Sequence, residues 1–197
     1  MITFSLNKIK ISVSFSFFAT IALLVLLKEQ KYTLFGIYAC IIHEFGHAFV
    51  MRILGINIGN VIFYGAGIKI VYKSDRILPL WKDIIVLFAG SATNLLLAFA
   101  MLIFSAGKEN FLIFAGTNIV LGIFNLLPIN CFDGGRIAEL LIERYFLEKN
   151  MIFAKNFLKI FSYSIIGILA VLFLIGGNYN FTFYVTIIYF IISSVFL

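Results

Sequence analysis

No charged residue interrupts positions 84–107, between Asp83 and Lys108. A helix crosses about 30 Å of hydrocarbon with about 20 residues, so this run alone can span a bilayer. Five more apolar runs accompany it, and the expected spans are 11–27, 32–54, 83–105, 111–128, 157–176 and 180–197. Composition agrees. The 197 residues are 62% hydrophobic and 12% charged, whereas soluble domains carry roughly 45–50% apolar and about 25% charged residues. The expected fold class is an all-α polytopic membrane protein of about six transmembrane helices, built as a single domain over residues 1–197. The lipid bilayer is its first partner.

The start, "MITFSLNKIKISVSFSFFATIALLVLL", has basic residues before an apolar run but no small-residue cleavage site. It reads as a retained first span. With six spans and both termini cytoplasmic, only Lys28, Lys31 and Lys108 of the fifteen basic residues fall outside. The positive-inside rule then orients a multi-pass protein of the cell membrane. Nucleic-acid binding would need a basic, aromatic-laced soluble face, and the sequence has none. Cys40 and Cys131 are too few for a disulfide framework; Cys40 lies in a span, and Cys131, two residues before Asp133, reads as a plain small residue ahead of a redox or metal role.

Two connecting segments have character of their own. In 55–82, "INIGNVIFY" and "GIKIVYK" flank "GAG". Arms rich in Ile, Val and Tyr around glycines predict a small membrane-associated β-hairpin over about 57–72. Its edge could accept an extended peptide as an added strand, and Gly65 and Gly67 would loosen its tip. Segment 135–149, "GRIAELLIERYFLEK", predicts an amphipathic helix whose Glu139, Glu143 and Arg144 form a solvated face.

The polar residues inside the spans are costly to place there and suggest function. The only two histidines, His43 and His47, lie in "IIHEFGHAFV". Four residues apart on a helix, they share one face and can offer two imidazoles to one metal ion. Glu44 beside them completes H-E-x-x-H, in which the Glu serves as general base of a metalloprotease. Zinc needs a third protein ligand and an open position. Asp133, in "NLLPINCFDGGRI", is a candidate. It is equally a candidate N-cap for the helix starting near Gly135. Pro128 ends or kinks the fourth span.

"HEFGH" in the second span, "AGSATN" from Ala89 to Asn94 in the third, and "FNLLPINCFDGG" after the fourth resemble the site-2 protease family of intramembrane zinc metalloproteases. The six-span layout most resembles its sporulation-type member, here without the nucleotide-sensing CBS domain. That resemblance implies His43, His47 and Asp133 as Zn2+ ligands and Glu44 as the catalytic base. It also implies that Asn125 and Asn94 line or brace the site, and Asn125 has the side chain to donate to an oxyanion. The implied partner is a membrane-associated protein substrate cut near the cytoplasmic side, with a sigma-factor precursor as the sporulation-type example. A regulatory membrane protein is a further expected partner. The competing class is a metal-ion or solute transporter using the His/Asp cluster as a transit site. Transporters usually show paired repeats, and the two halves of this chain do not match.

Overall fold

The computed structural model describes residues 1–6, 9–26, 30–65, 67–72, 78–129 and 132–175. The chain divides into two compact units, Met1–Phe124 and Asn125–Leu197. The first holds strands β1 (Ile2–Leu6), β2 (Ile9–Val13), β3 (Ile58–Tyr64) and β4 (Gly67–Tyr72). It also holds helices α1 (Phe15–Leu26), α2 (Gln30–Ile53), α3 (Leu80–Phe104) and nearly all of α4 (Glu109–Asn125). The second holds α5 (Asp133–Tyr145) and α6 (Glu148–Ile175).

Among the described residues, three helical stretches are long and apolar enough to cross a membrane: Thr33–Ile53, Leu80–Phe104 and Glu148–Ile168. Their packing is inverted relative to a water-soluble helix. On α2 the large apolar residues Leu34, Tyr38, Ile41, Phe45, Phe49 and Ile53 are exposed. Ala39, His43, Gly46 and His47 on the other face are buried. Without a hydrophobic force between helices in lipid, small residues that allow close approach hold such a seam together. Gly46 is an example. An added Cβ there would collide with the side chain of Thr93 and lie 2.8 Å from the Ala89 carbonyl oxygen.

Four expected spans begin or end within a few residues of α1 to α4, but the first and fifth need correction. Strand β2 takes residues 9–13, so the expected span 11–27 shrinks to α1, twelve residues long. At 1.5 Å per residue that is about 18 Å. The cause is visible in β2, where Ile9, Ile11 and Val13 alternate with Lys10 and Ser12, a period of two. The helix expected at 135–149 ends at Tyr145, and α6 starts at Glu148 where 157 was expected. The expected span 180–197 and Cys131 lie outside the described residues.

The hairpin at 57–72 is present as β3 and β4, but as part of a larger sheet. The four strands run in the order β1-β2-β3-β4, with β2 and β3 parallel and the other pairs antiparallel. One edge of the hairpin is therefore already filled by β2, leaving the outer edge of β4 among the described residues. Nor is the tip loose at Gly65. Its amide donates to Oγ of Ser16 at 3.0 Å, and a Cβ would lie 3.1 Å from the Ser16 Cβ. Gly67, at φ 140°, does need glycine. The sheet joins the helices where Val50, Leu54, Ile58 and Ile70 pack around Met51, Ile56 and Val86.

Candidate metal centre

The helical period sets the site. His43 and His47 sit one turn apart on the buried face of α2, only 5% and 7% exposed. Their rings meet edge to face, with centroids 4.7 Å apart at 87°. The two Nε2 atoms are 3.1 Å apart. Zn–N bonds of about 2.0–2.1 Å in tetrahedral geometry would place two ligand nitrogens roughly 3.3 Å apart, so the pair is close to ligating spacing.

Helix α3 sets the tautomer. Nδ1 of His47 lies 2.7 Å from the Val86 carbonyl oxygen. A carbonyl only accepts, so Nδ1 carries the proton and Nε2 keeps a lone pair for a metal. A backbone carbonyl on the far ring nitrogen is the usual support for a ligating histidine. Within a helix the amide of residue 90 bonds the carbonyl of residue 86. Residue 90 here is glycine, and its missing side chain opens that carbonyl to the imidazole. A Cβ on Gly90 would lie 2.5 Å from Nε2 of His47 and 2.7 Å from Nε2 of His43.

Asn94, one turn further along α3, is fully buried and donates through Nδ2 to the Ala39 carbonyl at 3.2 Å. It thereby ties α3 to α2 one turn before His43. Glu44 follows His43 on α2 and is partly buried.

In the second unit, Phe132 occupies the N-cap of α5 with φ −111° and ψ 163°, and Asp133 is the first helical residue. Asp133 is thus not the N-cap, although its charge suits the positive end of the helix. Gly134 is required by a close approach. A Cβ there would collide with the Leu126 carbonyl and lie 2.6 Å from the Leu127 oxygen. The connector is also held from α6, where the Ser162 hydroxyl sits 2.8 Å from the carbonyls of Pro128 and Leu158. Asn125 is the last residue of α4. Glu139 and Glu143 are engaged elsewhere, with Arg136 at 3.0 Å and Lys155 at 2.8 Å.

His43 and His47 in the first unit offer imidazole nitrogens and Asp133 in the second offers a carboxylate oxygen, a donor set that could hold a metal ion. Two neutral imidazole nitrogens and one carboxylate form a His₂Asp set of the type that catalytic zinc accepts. The residues present therefore fit the metal that the sequence implies. Sequence reasoning missed Val86, Gly90 and Ser162 as contributors. A backbone carbonyl leaves no trace in sequence, but a glycine inside the small-residue run "AGSAT" was a visible signal of close approach.

Residues 105–172 match Peptidase family M50, a stretch that contains Asp133 and excludes the two histidines. The fold is that of a site-2 protease. The chain superposes on the Site-2 Protease from Methanocaldococcus jannaschii with a TM-score of 0.64 at 20% identity, covering 99% of this chain and 90% of that one. No curated protein matches the chain.

Proposed function

We propose that the protein is an intramembrane zinc metalloprotease that hydrolyses a peptide bond of a membrane-associated protein near the cytoplasmic side. The observation that carries this reading is the pair of Nε2 atoms 3.1 Å apart, buried on a helix apolar enough to cross a membrane. Nothing but a shared cation or proton makes that approach of two lone pairs favourable. The M50 match over residues 105–172 supports it independently, since it does not include the histidine motif.

In this reading His43, His47 and Asp133 hold the zinc. Bound there, the ion would supply Lewis acidity and a water of pKa near 7. Glu44 takes the proton of the attacking water and later passes it to the leaving amine. Asn125 donates to the developing oxyanion, and Asn94 holds α3 against α2. His47 keeps its tautomer through Val86. The exposed apolar stripe of α2 faces lipid, and both termini are cytoplasmic. The sporulation-type resemblance names a sigma-factor precursor as the substrate to try first. A transport role has no comparable support, because the matched fold is a protease fold.

Co-expression with tagged, membrane-tethered candidate substrates tests the reading. Glu44→Gln should bind zinc as wild type does and leave the substrate uncut. Unchanged cleavage by that variant would overturn the assignment.

A further inference from the structure

The N-terminal hairpin has two chemically different faces, and its register defines them. Directly opposed residues share a face. Ile2 opposes Val13 and Phe4 opposes Ile11, while Thr3 opposes Ser12 and Ser5 opposes Lys10. One face of β1 and β2 is thus apolar and the other polar. The apolar face continues across the parallel pairing, with Val13 beside Phe63 and Ile11 beside Val61. On the inner strands it is covered by protein. Phe63 meets Phe17 of α1, with ring centroids 5.3 Å apart, and Ile70, opposite Val61, packs against the cluster at the end of α2. On β1 it is open: Ile2 is 61% exposed and Phe4 49%.

We infer that the open apolar face of the β1–β2 hairpin, at Ile2 and Phe4, rests on the acyl-chain boundary of the lipid bilayer. Two observations select lipid as the occupant. First, the face is continuous with an exposed apolar surface. It runs on to α1, whose Phe17 covers Phe63 and whose Phe15 and Phe18 are exposed. Second, toward its outer end the opposite face carries the exposed Thr3, Ser5 and Lys10, which suit water and headgroups, while Ser12 on that face is buried further in. The hairpin behaves as the strand counterpart of an interfacial amphipathic helix, whose apolar face sinks about 5–10 Å. The outer edge of β1 limits the depth. Its unpaired backbone groups would be costly in hydrocarbon, so the hairpin lies flat at the interface. This inference stands apart from the protease reading and needs neither the metal nor Glu44.

Adjacent residues on one strand give the test. Trp81 is the only tryptophan, so Trp81→Phe gives a silent background in the full chain. Phe4→Trp and Ser5→Trp are each added to it, and the proteins are placed in phosphatidylcholine vesicles with bromines on the upper acyl chain. The expected result is blue-shifted, strongly quenched emission from Phe4→Trp and red, weakly quenched emission from Ser5→Trp. Ile2→Trp against Thr3→Trp should repeat the contrast, which guards against one misfolded variant. Equal quenching at both faces would overturn the inference. So would blue emission from Phe4→Trp without quenching, because that result means protein covers the face.

Discussion

Gly90 and His47 touch where α3 crosses α2, with no room between the bare Cα and the imidazole for even a methyl group. Alanine is ordinarily the better helix former by about 1 kcal/mol. At this position it should still be harmful, since the ring must move and Nδ1 must leave Val86. Gly90→Ala is expected to lower zinc affinity by about 10–100-fold, the usual cost of losing an outer-shell support. Metal content of the purified, detergent-solubilised protein checks this, with cleavage expected to fall in parallel.

Gly134→Ala tests the connector before α5. The substituted Cβ would strike backbone atoms of Leu126 and Leu127, which cannot rotate aside as a side chain could. Loss of thermal stability by about 2–4 kcal/mol is expected, within the range for overpacking and strain. Unfolding followed by circular dichroism in detergent measures it. Gly167→Ala, at a position with open space around it, should be neutral or slightly stabilising.

Ser162 is 1% exposed and reaches the carbonyl of Pro128. Ser162→Ala should cost about 1 kcal/mol by leaving a partly buried carbonyl without its donor. Ser162→Thr keeps the hydroxyl and should recover part of that loss. Comparing the two melting curves separates the hydrogen bond from the volume change.

The Glu143–Lys155 pair predicts a weak acid sensitivity. The hydrogen bond from Lys155 holds the Glu143 carboxyl below its ordinary value of 4.5. A carboxyl depressed on folding adds stability above its unfolded pKa and loses it as pH falls through the folded one. Both side chains are some two-fifths exposed, so screening keeps the contribution below about 1 kcal/mol. Lys155→Gln should lower stability slightly at pH 7 and become indistinguishable from wild type once Glu143 is protonated in the folded protein. A larger effect at low pH would contradict this account.

The parts legible in sequence were those written in side-chain pattern. The two histidines announced their shared face by spacing, and "GAG" between β-branched arms announced a hairpin. The α3 span announced itself by an uncharged run. What stayed hidden was set by partners distant in the chain. Residues 9–13 carry a period-two alternation too short to stand out beside the apolar run of α1, and pairing with β1 and with β3, some fifty residues later, makes them a strand. The start of α6 was missed because Glu148, Lys149, Lys155 and Lys159 make its first turns too polar to read as membrane. Asp133 could be cap or ligand on spacing alone; the helix begins one residue earlier than a cap at Asp133 would require, with Phe132 at the N-cap.

The acceptor for His47 has a genetic consequence. Because it is main chain, every amino acid placed at position 86 presents the same oxygen. Drift at that codon can change the packing beside the ring but cannot delete its anchor. The vulnerable letter in the support is four places on, where only one of the twenty residues lacks a side chain to get in the way.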